Sequence, residues 1–492
     1  MRRSFLPWTC AVALAAATAG CGKPVHFPAE AMPPPDGDAT RRAYDTDRNG
    51  KADYLTFLNA AGRIDRIGYD RDEDGRADVV VDLDAIPLGR CRHLVIVLDG
   101  FGYEVIQRYR GAGGLRLFHR PSRVIAPYPT LTDPCLEDVL GYMPCRGMEA
   151  LYYHRRRNRQ AGGAWAYLTG RNAPYNRLLH YRANLIWDAI AYLWPWAVFG
   201  KEVNDAKRLF DKARTQEVRA YFVSSAGVGT QRGEEGQRMC LKRIEQLINQ
   251  VIWETRGLVK VTLLADHGHS YTPARRVGIE PHLRQRDWRL TDRLRRPEDV
   301  VYLRFGLETY ASFATSRPAA LAGDLIDCEG VELASYAEGG SVIVLGRGGQ
   351  RAAVRQKGRR YRYEPLKGDP LKLRGVLAAL PGGRDGYHDA DELMTATARH
   401  VYPAPLQRLW RAHFGLVENP PDVIVSLEDR YFSGSTAFGG AVKVASTHGG
   451  LNYRNSVTFI MSTVGEFPAV MRSGDVPTHM KRLTGHDWPA SR

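Results

Sequence analysis

No C-x-x-C pair occurs anywhere in the 492 residues, which excludes a cysteine-ligated zinc module or a dithiol redox site. Zinc-finger, basic-zipper and RNA-recognition patterns are missing too. The formal net charge of +15 therefore favours anionic partners in general, and no specific nucleic-acid binding is expected. The arginines lie in separated runs (Arg155 to Arg159, Arg284 to Arg296, Arg351 to Arg362) that read as solvated faces. G-x-S-x-G elbows, P-loops and a dinucleotide fingerprint opening a helix are also absent, removing serine hydrolases, P-loop nucleotidases and nucleotide-cofactor oxidoreductases. Composition is ordinary, 44% hydrophobic and 25% charged, so disordered, fibrous and polytopic membrane classes fall away.

What is present begins with Met1, Arg2 and Arg3, then an apolar run ending in Gly20 and Cys21. This is the charged, apolar, small-residue order of an export leader over residues 1–20, too short for a permanent membrane span. Thr18-Ala19-Gly20-Cys21 resembles the bacterial lipobox, with Thr18 where leucine is usual. The resemblance implies a lipid on Cys21 and a protein anchored at the cell envelope, with plain secretion as the alternative. The proline-rich stretch over 21–40 reads as a tether. Loss of Cys10 and modification of Cys21 leave five cysteines, of which Cys135 and Cys145 are close enough in sequence to bridge in an oxidising compartment.

Two self-similar segments follow within 41–86: Asp45, Asp47, Asn49, Lys51 and Asp53 around Gly50, and Asp70, Asp72, Asp74, Arg76 and Asp78 around Gly75. Alternating carboxylates put hard oxygens on one side of a tight loop, the glycine supplies the turn, and the next residue can offer its carbonyl. That is a Ca2+ cage. Without flanking amphipathic helices or a glutamate at position twelve, the loops resemble thrombospondin type 3 and dockerin-like repeats rather than sensor EF-hands, and predict a structural module.

From Cys91 the texture changes to apolar runs separated by helical stretches. Strands are expected at His93 to Leu98, Val218 to Val223, Leu258 to Leu264, Ser341 to Leu345, Asp422 to Ser426 and Val457 to Met461. Continuous rather than alternating apolar runs predict strands covered on both faces, hence an α/β fold with a mainly parallel central sheet over 91–485. An aromatic-rich helical insert is expected at 141–219 and a small cap of short strands at 329–383. Ligands in such sheets gather beyond the carboxyl ends of the strands. The residues there are Asp99 before Gly100, Asp266 and His267 before Gly268, and His448 before Gly449.

With Tyr128-Pro129-Thr130-Leu131-Thr132-Asp133-Pro134, these motifs resemble the alkaline phosphatase superfamily, type I phosphodiesterase/nucleotide pyrophosphatase branch. The resemblance implies a metal-dependent hydrolase of an anionic phosphate ester. Asp99, Asp266 and His267 would hold one Zn2+ with Thr132 as nucleophile forming a phosphoenzyme, Thr130 being the runner-up, and His448 would hold a second ion. Sulfatase relatives need C/S-x-P-x-R, which neither Cys135 nor Cys145 opens. One departure stands out. The family's Asp-x-x-x-His falls on Ser224 to Val228, so the second site is either lost or rebuilt, with Asp133, His269 and His388 as candidates. Two alternatives therefore stay open: a catalytically impaired surface binding protein on the same scaffold, and a calcium-dependent adhesion module in which the acidic repeats are the functional part.

Overall fold

The computed structural model describes residues 25–34, 37–171, 173–381, 385–435 and 442–489. The apolar run before Asp99 becomes the second innermost strand of a six-stranded sheet. Its strands are β1 (Arg92–Leu98), β2 (Ser122–Ile125), β3 (Glu217–Phe222), β4 (Val259–Ala265), β5 (Val457–Ser462) and β6 (Val470–Arg472), in the spatial order β6-β2-β5-β4-β1-β3. β1 pairs in parallel with β3 and β4, and β2 with β6; only β5 runs antiparallel to its neighbours β4 and β2. The chain is thus α/β, with a mainly parallel central sheet.

The continuous apolar runs have a direct cause. Leu94, Ile96 and Leu98 of β1 enter one core with α1 (Tyr103–Gly111) and α4 (Ser224–Glu254). Val95 and Val97 enter another with Leu136 and Val139 of α2 (Thr132–Leu140). α3 (Pro195–Lys212) packs Phe199 and Phe210 into the first core and Val198 into the second. Alternate side chains are therefore buried on opposite faces, each contributing roughly 1.5–3 kcal/mol for a Leu, Ile or Val.

The strands found at Ser341–Gly346 and Val423–Leu427 do not join this sheet. They lie in a second, nine-stranded sheet whose pairings are antiparallel except for the short Arg289–Leu290 edge. Here too both faces are covered, Val342 and Val344 packing on one side and Ile343 on the other. A continuous apolar run reports two-sided burial and not strand direction. The stretch expected as a small cap at 329–383 supplies four consecutive strands of this sheet, from Val331–Glu338 to Arg360–Lys367. The insert at 141–219 holds α3 but also a Leu151–His154/Arg159–Gly162 hairpin.

Ahead of β1, four antiparallel strands (Arg41–Tyr44, Tyr54–Leu58, Ile64–Tyr69, Val79–Asp82) form a small sheet, and each acidic segment is the connection within one of its hairpins. Phe27, Tyr44, Tyr54 and Tyr69 cluster by their rings, with Trp253 of α4 against Phe27. The Tyr69 hydroxyl donates to the Trp253 carbonyl at 2.6 Å. Part of the stretch expected as a tether over 21–40 is packed: Val25 and Phe27 are buried, and the His26 and Phe27 amides donate to Gln250 Oε1 at 2.7 and 3.2 Å, while Ala29 to Ala31 are exposed. Residues 1–24, which include the stretch expected as a leader and Cys21, lie outside the described residues. Among the described residues no helix is long and apolar enough to cross a membrane. Cys91, Cys135, Cys145, Cys240 and Cys328 are all buried and free, so the Cys135–Cys145 bridge is not made; Cys145 Sγ instead sits 3.5 Å from the Asp133 carbonyl.

Ion pairs join the two halves of this body, among them Arg472 with Asp391 at 2.6 Å and Asp138 with Arg411. Asp138 on α2 receives both Arg411 nitrogens at 2.6 and 2.8 Å, Arg411 lying on the Pro405–His413 helix beside the nine-stranded sheet, and the Ser473 hydroxyl at 2.9 Å. Removing one partner of a buried pair leaves the other uncompensated. Because Arg411 is part-exposed, Asp138→Ala is expected to lower stability in urea denaturation by about 1–3 kcal/mol, whereas Arg355→Ala, which breaks a more exposed pair with Glu364, should lower it by under about 1 kcal/mol.

Candidate metal centre

Strand direction brings the distant motifs together. β1 and β4 are adjacent and parallel with Leu98 opposite Ala265, so Asp99 and Asp266 leave the sheet side by side. The loop bearing His448 enters β5 at the same rim, because β5 is antiparallel. Thr132 opens α2, the helix following β2.

The electrostatics at this rim are unusual. The His267 Nδ1 faces the Gly268 carbonyl at 2.9 Å, and since a carbonyl only accepts, Nδ1 carries the proton and Nε2 presents a bare lone pair. That lone pair lies 3.4 Å from Asp99 Oδ1 and 3.5 Å from Asp266 Oδ2. All three atoms are buried and without a hydrogen-bond partner, and together they meet the spacing of a metal-ligand set. Burial pushes His267 down to about 4, keeping it neutral. Burial also pushes Asp266 up to about 7 and, with the Asp266 carboxyl beside it, raises Asp99 well above the carboxylate range. Three bare acceptors facing one another would each forfeit about 1–3 kcal/mol of solvation, and the raised Asp99 and Asp266 reflect that cost by favouring their protonated forms. A divalent cation ionises both carboxyls and satisfies all three atoms, and a one-nitrogen, two-oxygen set suits such an ion.

The opposite atoms of the same groups are pinned. Asp99 Oδ2 accepts the Tyr221 hydroxyl at 2.5 Å, and the Asp99 amide donates to Ser225 Oγ at 2.8 Å. Asp266 Oδ1 accepts the amides of Gly100 and His267 at 3.0 and 2.9 Å. Gly100, at φ +69°, admits no side chain: a Cβ would stand 2.9 Å from His269 Cδ2 and 3.3 Å from His267 Cε1. His448 donates from Nδ1 to the Thr130 carbonyl at 2.9 Å, and its ring stacks on His267 with centroids 4.0 Å apart.

The two threonines separate clearly. Thr130 is fully buried, its hydroxyl accepting the Gly449 amide at 2.9 Å and reaching the Gly450 carbonyl at 3.4 Å, so it fixes the His448 loop. Thr132 is half-buried and lines, with His448, a cavity of 540 Å³. Ser224 and Val228 supply no metal ligand, the Ser224 hydroxyl donating to Glu202 and Val228 packing in the core. Asp133 accepts the Tyr175 hydroxyl at 2.7 Å. His388 sits on the last strand at the far edge of the nine-stranded sheet, away from the rim. His269 lies beside His448, with centroids 5.5 Å apart.

Several participants carry no motif. Tyr221 stands opposite Val97 on β3 and so shares a face with Asp99 two residues on, a relation visible only once strand order is known. Glu149 and Glu308 line the Thr132 cavity; burial and then the Glu149 carboxyl raise Glu308 well above the ordinary range.

The acidic repeats fold alike. Arg48 and Glu73 take φ of 68° and 59°, and Gly50 and Gly75 take 94° and 88°. Asp45 accepts the amides of Arg48, Asn49 and Gly50 at 2.6 to 3.1 Å, and Asp70 those of Asp74 and Gly75 at 3.2 and 2.8 Å. Carboxylate oxygens of Asp70, Asp72 and Asp78 converge in the second loop. The loops touch through Lys51 and Glu73 at 3.4 Å. Asp53 turns inward to accept the Thr46 amide at 2.6 Å, and Asp47, Asn49, Asp74 and Arg76 close turns within their own loops.

No family model matches the chain, and no curated protein matches it. Among solved structures it is similar to murine ectonucleotide pyrophosphatase/phosphodiesterase 5, at 11% identity and a TM-score of 0.43 over 81% of this chain and 97% of that one. The human counterpart aligns at 10% identity and a TM-score of 0.44 over 81% and 96%. An inactive form of the murine protein in complex with AMP aligns at 11% and 0.43 over 82% and 97%.

Because partners behind a ligand orient it and tune its basicity, Tyr221→Phe is expected to weaken divalent-metal affinity by about 10–100-fold without unfolding the chain. Competition against a chromophoric chelator reads this, and unchanged affinity would show that the Tyr221 hydroxyl does not serve a metal ligand.

Proposed function

We propose that the chain is a metal-dependent hydrolase of phosphate esters, of the phosphodiesterase/nucleotide pyrophosphatase or phosphatase type, with Thr132 as its nucleophile. The observation that carries this reading is the trio of unpartnered buried atoms on Asp99, Asp266 and His267, at the same rim as a cavity whose wall includes Thr132. Asp99, Asp266 and His267 would hold the ion, for which Zn2+ is the first choice. A divalent cation bound there supplies the positive charge that lowers the pKa of a nearby hydroxyl and neutralises developing oxyanion charge.

The chain's own residues do the rest. Thr132 opens α2, so the helix N-terminus, with its unpaired amides, faces the phosphate that the hydroxyl attacks. The Thr132 oxygen gives up its proton as it bonds to phosphorus, and the ester oxygen leaves with the bonding pair and takes up a proton from solvent. Water then cleaves the phosphothreonine and restores the hydroxyl. Glu308, raised by burial and by Glu149, hydrogen-bonds to the Glu149 carboxyl, so the pair opposes an anionic substrate less than two ionised carboxylates would. His267, fixed by Gly268, and His448, fixed by Thr130, present their Nε2 atoms without needing to reorient.

The N-terminal hairpins are read as a Ca2+-bound structural module clamped on α4, and the leader and Cys21 as export and lipid attachment at the cell envelope. A second reading, a surface binding protein with one retained ion, draws on Ser224 and Val228, which leave the usual second set of ligands unfilled.

Thr132→Ala is expected to abolish turnover of a chromogenic phosphodiester, by at least about a thousandfold, while retaining bound metal by elemental analysis; full activity in this variant would exclude the covalent route. For the hairpins, Ca2+ should raise the melting temperature of the wild-type chain, and an Asp70→Asn/Asp72→Asn variant should lose that response. A wild-type melting curve indifferent to Ca2+ would remove the module's proposed role.

A further inference from the structure

The segment between residues 141 and 200 supplies much of the wall of the Thr132 cavity, and it also carries a surface that the hydrolase reading leaves without a task. All three tryptophans exposed among the described residues lie on it: Trp165 at 65%, Trp194 at 52% and Trp196 at 39%, with Leu193 at 42%. Single apolar side chains on a surface need no explanation, but indole rings on adjoining turns do. Trp165 belongs to the Ala164–Leu168 helix, which meets the Leu185–Ile190 helix where the Tyr167 hydroxyl donates to Asp188 Oδ1 at 3.4 Å. The chain leaving that second helix turns at once. The Leu193 and Trp194 amides donate to the Ile190 carbonyl at 2.9 and 3.0 Å, and Trp196 follows in the first turn of α3. Ala164 and Tyr192, the neighbours of Trp165 and Leu193, line the cavity, so this aromatic ridge stands at the cavity's edge.

The charges of the segment have one sign on the outside. Its acids are Glu149, hydrogen-bonded to Glu308 in the cavity, and Asp188, buried and paired with Arg182 at 2.8 Å. Every exposed charge between 141 and 200 among the described residues is therefore an arginine. Three of them surround Trp165. Arg159 opens the strand that leads to its helix. The Arg171 amide donates to the Ala166 carbonyl at 3.0 Å, which folds Arg171 back against the same helix. Asn176 closes on the intervening turn, where a Cβ on Gly170 would stand 2.7 Å from its Nδ2, and this brings Arg177 alongside. Among the described residues no carboxylate pairs with Arg159, Arg171 or Arg177.

Indole rings favour the boundary between headgroups and acyl chains, and guanidinium groups on long stems reach from there to phosphates. An anionic bilayer satisfies both in one plane. The start of the described chain lies close by: the Val25 amide donates to Asn204 Oδ1 at 3.1 Å, about 12 Å along α3 from Trp196. Cys21, the expected point of lipid attachment, is four residues before Val25, a reach of at most about 13 Å.

We propose that this ridge is a docking surface for anionic phospholipid membranes, with Trp165, Leu193, Trp194 and Trp196 seated at the headgroup level and Arg159, Arg171 and Arg177 on the lipid phosphates. Docking of this kind needs neither turnover nor an acyl anchor.

Residues 22–492, which keep every described residue and lack the expected leader and Cys21, are cosedimented with vesicles of equal parts phosphatidylcholine and phosphatidylglycerol, and with phosphatidylcholine alone. Binding to the mixed vesicles is expected, falling as salt is raised. Trp165→Ala/Trp194→Ala should weaken it by at least about tenfold with unchanged circular dichroism, and Arg171→Gln/Arg177→Gln should lose the preference for the mixed vesicles. A wild-type chain that stays in the supernatant, one that binds both vesicle types equally, or a tryptophan variant that binds as tightly as wild type overturns the docking surface and leaves the hydrolase reading standing. Dimerisation in analytical ultracentrifugation that Trp165→Ala/Trp194→Ala abolishes, with no vesicle binding, overturns it in favour of a second copy of the chain. Should the tryptophan variant fail to fold, wild-type binding and the arginine variant decide the matter.

Discussion

Three acceptor atoms held together in the interior are the constraint from which the rest of the molecule follows. Asp99 Oδ1, Asp266 Oδ2 and His267 Nε2 stand within reach of one ion, buried and unpartnered. Nothing in a fold tolerates such an arrangement cheaply, because the interior offers no solvent to offset the repulsion. The chain nevertheless enforces it with a hydrogen bond behind each ligand: Tyr221 on Asp99, the Gly100 and His267 amides on Asp266, and the Gly268 carbonyl on His267. These hydrogen bonds hold the trio in the arrangement that the proposed cation would need.

Sheet topology makes the constraint possible. Parallel β1 and β4 release their acids at one edge, and the reversal of β5 returns the His448 loop to that edge. A short three-stranded sheet carries Glu308 into the cavity wall, and the amide of its neighbour Thr309 donates to the His448 carbonyl at 2.6 Å. The Asp138–Arg411 pair then locks the helix that carries Thr132 against the other half of the body. The geometry of the proposed site and the architecture are thus coupled through a few largely buried polar contacts as well as through the apolar cores.

Much of this was legible in the residues. The six expected strands all form, and the Asp-Gly and Asp-His-Gly endings converge, because turn chemistry after an apolar run is a local property. What the residues did not disclose depends on pairing. Val342 to Val344 and Val423 to Leu427 look like parallel strands because both faces are buried, yet they pair antiparallel. Tyr221 and Glu308 carry no motif and acquire their roles only from neighbouring strands. Cys135 and Cys145 are close in sequence, but α2 and the loop after Gly141 leave both thiols unbridged. Val25 and Phe27 lie in a stretch whose prolines suggest a free tether, but their burial against α4 decides otherwise.

The central claim is a cation at this rim, and diffraction from crystals grown with Zn2+, recorded on both sides of the zinc absorption edge, tests it most directly. The account predicts an anomalous peak about 2.0–2.2 Å from Asp99 Oδ1, Asp266 Oδ2 and His267 Nε2. An ordered pocket with water in that position, and zinc only elsewhere on the chain, would contradict it.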